Sequence, residues 1–195
     1  MKLLINAITL LIVCLSAFPS AKVIAKNANG QNTEMINKVI KSRNTELMTQ
    51  KKRVASDNAK IQNADKNIAT RVIEGGTKII MHFGNVVIPA TLNDSKAAKA
   101  LIARLPLRVD VSRYTFDFCG VMEKPLPYTE EEIHYGWLNG DIDFAPDGAW
   151  FTILFDNEEK SEELDPQVNL GKIDCNLSEI ARLRGSYNVL IELAE

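Results

Sequence analysis

The chain has 195 residues, of which 46% are apolar and 25% charged, and its formal net charge is −2. Setting aside an N-terminal export segment and the polar stretch behind it leaves about 120 residues, enough for one domain with one core. No later run approaches the roughly 20 consecutive apolar residues that a membrane span needs. A polytopic membrane protein is therefore excluded.

The first 25 residues have the pattern of a secretory signal peptide. A short charged start precedes an apolar run, Leu10–Leu15, and small residues suited to cleavage follow it. We predict cleavage after Ala21 or Ala25, and export to the periplasm or the extracellular space. A lipoprotein signal ending at Cys14 is disfavoured, because a valine stands before that cysteine where a small residue is normally required.

The charge is divided unevenly along the chain. Residues Lys26–Arg71 contain ten Lys or Arg and four Asp or Glu, a balance of +6, whereas Val72–Glu195 has a balance of −10. Such a basic tail can bind nucleic acid or an anionic membrane. We disfavour nucleic acid, because an exported protein meets little of it and the tail has no aromatic residue for bases to stack on. We interpret residues 26–72 as a basic spacer ahead of an acidic domain over residues 73–195.

The spacer carries a single apolar stripe. Its members recur every seven residues, which places them along one side of a helix: Ile40, Leu47, Val54, Ile61 and Ile68. The second apolar edge of a coiled coil is present only in the first turns. The stripe fits a helical stalk or oligomerisation segment, but we favour a polar linker with one or two helical turns, because one thin stripe buries too little area to offset chain entropy.

The domain reads as short β-strands with two short helices. Gly84-Asn85 suits a two-residue turn and predicts a hairpin of Thr77–Phe83 and Val86–Leu92. Ser95 is a predicted N-cap for a helix over residues 96–105 that ends at Pro106. The remaining predicted elements are strands at Leu107–Val111, Tyr114–Phe118, Gly140–Phe144, Ala149–Phe155, Leu170–Ile173 and Tyr187–Leu193, and a helix at Ser178–Leu183.

Eight strands without regular βαβ alternation predict an all-β fold, an antiparallel sheet closed into a small barrel, because closure removes exposed edges. Side chains should fill the interior and leave no channel. The predicted interior residues are Ile80, Val87, Phe144, Ile153, Phe155, Val189 and Ile191.

Over roughly Thr77–Leu193 the domain resembles the bacterial cyclophilin-like fold family. The segments that carry the resemblance occur in the family's order: Val86–Leu92 leading into the helix and Leu105-Pro106, the turn Lys124-Pro125-Leu126-Pro127, the block Tyr135–Pro146 with Gly140-Asp141-Ile142, the strand Phe151–Phe155, and Leu170-Gly171-Lys172-Ile173. The resemblance implies a closed eight-stranded barrel like that of the cyclophilin prolyl isomerases. It implies little about activity.

The sequence does not support isomerase activity. Cyclophilin isomerases carry a Phe-His-Arg run and a Gln-Gly-Gly segment, and neither occurs here; neither His82 nor His134 is followed by arginine. Arg113 beside Tyr114 is the one candidate for a positive group next to an aromatic wall, although a lone arginine at a strand end is more often solvated or ion-paired. A peptide- or carbohydrate-binding rim is predicted from Arg113, Tyr114, Phe118, Tyr128, Tyr135 and Trp137, with Trp150 as a further aromatic.

No cofactor or metal is predicted. The chain has no Gly-rich phosphate loop, His-Glu-x-x-His run or Gly-x-Ser-x-Gly motif. The stretch 139–143 alternates oxygen ligands like a calcium loop, but Phe144 stands where the loop needs glycine and Trp150 where it needs a bidentate glutamate. Cys119 and Cys175 either form a disulfide or remain two partly buried thiols.

Two function classes remain. The first is a non-catalytic exported binding or scaffold module with an unidentified peptide or protein ligand. The second is an enzyme, a divergent peptidyl-prolyl cis-trans isomerase. An isomerase assay on a proline tetrapeptide separates them.

Overall fold

The computed structural model describes residues 34–43, 60–61, 65–163 and 166–195. Helix α1 spans residues 34–43, and four of its apolar side chains are exposed: Met35, Ile36, Val39 and Ile40. No helix in the described ranges is long and apolar enough to cross a membrane. The predicted signal peptide, Leu47 and Val54 lie outside the described residues.

The apolar stripe of the spacer does not continue as one helix. Ile61 lies in a two-residue strand, β1 (Lys60–Ile61), which pairs antiparallel with β2 (Arg71–Val72). Ile68 lies in the turn between them and is 37% exposed. A seven-residue period therefore does not indicate a helix in this part of the spacer, where the chain folds back on itself.

Eight antiparallel strands form the domain: β3 (Thr77–Phe83), β4 (Val86–Leu92), β5 (Leu107–Arg113), β6 (Asp117–Val121), β8 (Asp141–Ala145), β9 (Trp150–Leu154), β10 (Gln167–Ile173) and β11 (Ser186–Leu193). They pair in the order β4-β3-β11-β5-β6-β9-β8-β10, and β10 pairs back with β4. A short strand, β7 (Ile133–His134), adds to the start of β10. The predicted all-β closed eight-stranded barrel is confirmed.

The first hairpin has the predicted bounds, but the residues that point into the barrel are the neighbours of those predicted. Ile79, Met81 and Ile88 are buried in the core, whereas Val87 is 45% exposed and Ile80 only partly buried. The prediction that Ile80 and Val87 fill the interior is therefore wrong. Both strands are apolar at successive positions, so the sequence carries little information on which alternate residues face inward. The other five predicted interior residues are buried in the core: Phe144, Ile153, Phe155, Val189 and Ile191.

The strand predicted at Tyr114–Phe118 begins three residues later. The Tyr114 N–H donates to the Asp117 carbonyl oxygen at 2.8 Å, which makes a tight turn between β5 and β6. The aromatic residues of this segment favour a strand, but the turn takes up its first three residues, Tyr114, Thr115 and Phe116.

Two short helices pack on the barrel. Helix α2 (Lys96–Ile102) begins at the predicted cap, where the Ser95 hydroxyl accepts a hydrogen bond from the Ala98 N–H at 3.1 Å. Helix α3 (Leu177–Ala181) follows Asn176. There are also two 3₁₀ segments. Glu130–Glu132 directly precedes β7, and Glu158–Glu163 follows β9.

Residues 67–72, here called the strap, lie against the barrel just before its first strand. The Thr70 N–H donates to the Asn139 carbonyl oxygen at 2.8 Å, and the Leu177 N–H donates to the Asn67 carbonyl oxygen at 2.7 Å. The Thr70 hydroxyl also donates to Glu158 at 2.7 Å. Asn67 and Thr70, both inside the segment interpreted as spacer, thus contact the barrel.

The two cysteines of the domain are free thiols. Burial raises the pKa of Cys119 to about 12 and that of Cys175 to about 11. Both groups are therefore protonated and poorly nucleophilic at neutral pH.

Candidate functional site

A cavity of about 460 Å³ opens at the side of the barrel where β5 and β6 separate. The two strands pair only at Ser112 with Cys119 and at Arg113 with Phe118, whereas β11 pairs with β5 all along Leu107–Ser112. At Gly120 the β6 backbone crosses so close to β5 that a Cβ would overlap the Asp110 carbonyl oxygen. The volume is within the range of small-ligand sites.

The lining of this β5–β6 cavity combines apolar and charged side chains. The apolar members are Leu107, Val109, Val121 and Met122, and the charged members are Arg104, Arg108, Lys124, Asp110 and Glu123. Three cations against two carboxylates make the lining net positive, although the sequence from Val72 onward has a balance of −10. The cavity is thus a locally basic place on an acidic domain.

Hydrogen bonds hold part of this lining in place. The Arg104 guanidinium donates to the carbonyl oxygens of Lys124 at 2.6 Å and Pro125 at 2.9 Å, which fixes the segment after β6. Arg108 donates to the Asn188 amide oxygen at 2.9 Å. Lys124 and Val121 are exposed and so accessible to a ligand.

Arg113, the arginine of the predicted rim, closes one end of the barrel. Its guanidinium lies 4.5 Å from the centroid of the Phe155 ring and donates to the carbonyl oxygen of Ala181, the last residue of α3, at 2.8 Å. Along β5, Arg113 lies on the same side of the strand as the buried Val109 and Val111. The contacts seen for Arg113 therefore tie α3 to the barrel.

The aromatic residues of the predicted rim do not share one surface. Phe118 is fully buried against Phe83 and Tyr187. Trp137 is 5% exposed; its ring stacks on Phe116 at 4.8 Å, and its Nε1 donates to the Asp156 carbonyl oxygen. Of the remaining three, Tyr128 and Tyr135 are partly buried and Tyr114 is 54% exposed. The structure brings Arg113 and Phe118 together, and a binding role for the set stays a prediction.

A second polar site is buried on the outer side of β8. Asp141 and Asp143 point away from the core, where Ile142 and Phe144 lie, and both are fully buried. Arg71 of the strap donates to both oxygens of Asp141, from Nε at 2.7 Å and from Nη2 at 2.8 Å. Asp141 also accepts from the Leu138 N–H at 2.9 Å and so anchors the turn that precedes β8.

The neighbouring Asp143 is bound differently. Its Oδ1 accepts from the Asn169 side-chain amide at 2.8 Å, while its Oδ2 lies 3.9 Å from Nε2 of His134 on β7. Burial, reinforced by the Asp141 charge, raises the pKa of Asp143 well above its usual range. Burial thus favours the neutral form of Asp143, while Asp141 makes the bidentate contact with the Arg71 guanidinium. Asp141, Asp143 and His134 are called the carboxylate pocket below.

His134 is almost fully buried, and burial followed by the nearby Arg71 charge lowers its pKa to about 4. Among the described residues, no hydrogen bond of good geometry reaches either ring nitrogen. No three His, Cys, Asp or Glu side chains in the described ranges are placed to hold a metal ion.

Acid should act on stability through His134. The unfolded pKa of 6.5 exceeds the folded value of about 4, so the unfolded chain binds more protons between these values and stability falls as pH decreases through that window. We expect this group to account for about 3 kcal/mol over the window. Asp143, with its raised pKa, changes stability in the opposite direction, so denaturant unfolding of the His134→Asn variant is compared with the parent from pH 7 to pH 4. Parallel curves for the two proteins would contradict the assignment.

The domain is a closed, eight-stranded antiparallel barrel with a core filled by side chains and two short helices packed on it. It therefore belongs to the class of small β-barrel domains. A model of the cyclophilin-like family matches residues 81–192, more than half of the chain, and the chain is therefore a member of the cyclophilin-like family. The solution structure of a hypothetical protein from Archaeoglobus fulgidus is similar at 14% identity with a TM-score of 0.49, over 61% of this chain and 95% of that one. No curated protein matches the sequence.

Sequence reasoning missed Arg71 and the residues that line the β5–β6 cavity. A signal for Arg71 exists: two aspartates share one face of Asp141–Ala145 while apolar residues occupy the other, and two such carboxyls need a counter-charge. No comparable signal marks the cavity, because it depends on the separation of two strands.

Proposed function

We propose that this protein is an exported, non-catalytic peptide-binding module and that the β5–β6 cavity is its binding site. The observation that carries the proposal is the cavity itself, about 460 Å³ in volume, with four apolar side chains and a net positive charged lining. Such a space accommodates one or two side chains of a peptide.

The chemistry of the lining defines the kind of peptide. Val121 and Met122 provide apolar contact, and the exposed ammonium of Lys124 provides a partner for a carboxylate. The start of β5, Leu107–Val109, has no ladder partner in β6 and precedes the close approach of Gly120 to Asp110, so an extended peptide can lie along this part of the strand. The best-matched occupant is an extended peptide with an apolar side chain next to an acidic one.

The alternative, a divergent prolyl isomerase, has less support. Arg113 is the one candidate that the sequence offers for a positive group next to a bound proline. Its guanidinium already contacts the Phe155 ring and donates to the Ala181 carbonyl oxygen. Phe118 opposite it is fully buried and offers no surface to a proline ring.

Peptide binding can be measured by ¹H–¹⁵N NMR on the full chain. The probes are two pentapeptides with a central Leu-Asp or Leu-Asn pair. We expect the Leu-Asp peptide to shift the amide signals of Val109, Val121 and Met122 and to bind more tightly than its neutral counterpart, because only it pairs with Lys124.

Two variants make this test specific. Val121→Asp places a negative charge at the cavity, which repels the acidic peptide and should abolish the shifts. Leu193 is 52% exposed, close to the 56% of Val121, but lies outside the cavity lining, so Leu193→Asp should leave the shifts intact. Shifts that map elsewhere, or equal loss in both variants, would contradict the proposed site. Acceleration of proline tetrapeptide isomerisation in a coupled-protease assay would favour the enzyme instead.

The export part of the proposal rests on the pattern of residues 1–25. We expect a mature N-terminus between Ser16 and Asn27. Mass spectrometry of protein recovered from the cell envelope or the medium measures it, and retention of residues 1–15 would contradict export by this route.

A further inference from the structure

The strap inserts one long charged side chain deeply into the surface of the barrel. Arg71 is 2% exposed and the small Ala69 beside it is also buried, whereas residues 65–68 and residues 74–76 are exposed. An arginine inserted into a polar recess from a short segment with exposed flanks is how many peptide ligands are anchored.

The recess that receives Arg71 is held in shape by the barrel itself. The Leu138 N–H donates to Oδ2 of Asp141 at 2.9 Å, and the Asn169 amide donates to Oδ1 of Asp143 at 2.8 Å. Neither bond involves the strap. The two carboxyl groups therefore keep their orientation without help from Arg71, which is the pre-organisation that a binding site requires.

The carboxylate pocket also offers more polar groups than Asp141 alone. Oδ2 of Asp143 and Nε2 of His134 are buried, lie 3.9 Å apart and have no hydrogen-bond partner among the described residues. Buried polar atoms of this kind are rare in native proteins and mark sites where a further group can bind.

The pocket and its occupant come from different parts of the chain. His134, Asp141 and Asp143 all lie within residues 81–192, the part matched by the family, whereas Arg71 precedes it. The pocket is thus part of the cyclophilin-like domain, and the arginine is delivered by the segment in front of it.

We propose that the carboxylate pocket is a binding site for the guanidinium group of an arginine in an extended peptide, and that the strap is its intramolecular ligand. Planar, bidentate contact with Asp141 selects guanidinium over ammonium. Withdrawal of Arg71 opens the pocket to an arginine from another chain. The site is separate from the β5–β6 cavity, and its test does not depend on peptide binding there.

The first experiment uses the full chain with Arg71→Ala and n-propylguanidinium, which supplies the removed guanidinium group on an alkyl chain one carbon longer than the removed one. Added n-propylguanidinium should raise the thermal midpoint of the Arg71→Ala protein by several degrees in a saturable way, because the ligand binds only the folded state. n-Butylammonium, a cation of similar size, should have little effect. The parent, whose pocket is filled, and the Arg71→Ala/Asp141→Asn variant, which lacks the carboxylate, should not respond.

The second experiment tests recognition of an arginine in a peptide. A fluorescein-labelled heptapeptide with the sequence of residues 67–73 should bind the Arg71→Ala protein, and the version with lysine in place of the arginine should bind about tenfold more weakly, the effect of one lost charged hydrogen bond. The parent should bind neither peptide.

Each remaining outcome decides the proposal. Equal effects of the two cations, or no saturable effect on a folded Arg71→Ala protein, would overturn it. Stabilisation by n-propylguanidinium without peptide binding would also overturn it, because the pocket would then hold only an internal ion pair. If Arg71→Ala does not fold, refolding with n-propylguanidinium and not with n-butylammonium supports the proposal, and failure with both contradicts it.

Discussion

Gly140→Val should lower the free energy of unfolding by about 3 to 5 kcal/mol, the sum of a backbone cost and a steric cost. Gly140 has a φ of +94°, in the region that side chains other than glycine rarely adopt. A Cβ at this position would overlap the Cβ of Ala69 and lie 2.7 Å from its Cα, so the strap would have to move. Equilibrium unfolding in urea at neutral pH measures the loss.

The matched control for this change is Gly185→Val. Gly185 has a similar φ of +83°, but nothing lies within 4 Å of its Cβ position. It should therefore lose only the backbone cost, about 1 to 3 kcal/mol. Equal losses at the two glycines would mean that Ala69 yields easily and that the strap is loosely held.

The second large effect concerns the two carboxyl groups of β8, which should respond very differently to the same substitution. Asp141→Asn should destabilise the protein by about 3 to 5 kcal/mol, because it removes the carboxylate charge that the buried Arg71 guanidinium contacts at two oxygens. Asp143→Asn should cost less than about 1 kcal/mol, because burial favours the neutral form of Asp143 and an amide can still accept from Asn169. Thermal and urea unfolding of both variants at pH 7 measure the difference.

A double variant separates the ion pair from its surroundings. Replacing both partners, Arg71→Met with Asp141→Leu, removes the buried charge together with its counter-charge and should restore most of the stability lost in Asp141→Asn. Similar unfolding of Asp141→Asn and the parent would show that Asp141 is not the counter-charge of Arg71.

The closed barrel could be predicted from the sequence because its signals are local. Gly84-Asn85 and the apolar runs on either side determine the bounds of the first hairpin, and Ser95 marks the start of α2. The order of motifs around Gly140-Asp141-Ile142 indicated the family that residues 81–192 match. The turn-anchoring role of Asp141 was also predictable, because its partner, the Leu138 N–H, is three residues away.

The facing of β3 and β4 and the place of the rim residues could not be predicted in the same way. Ile79 and Ile80 are adjacent and equally apolar, and only packing within the core of the barrel determines that Ile79 is inside. Similarly, nothing local distinguishes Phe118, which fills the core, from Tyr114, which is exposed on the turn.

What the sequence determined by itself is the set of strands and helices, their closure into a barrel and the family, because these follow from periodicity, turn chemistry and motif order within short segments. Only the tertiary structure decided where ligands could bind. Arg71 and Asp141 are 70 positions apart and meet because the strap folds back over β8. The β5–β6 cavity exists because two strands separate after two paired residues. Both features depend on long-range geometry, which no local pattern of residues encodes.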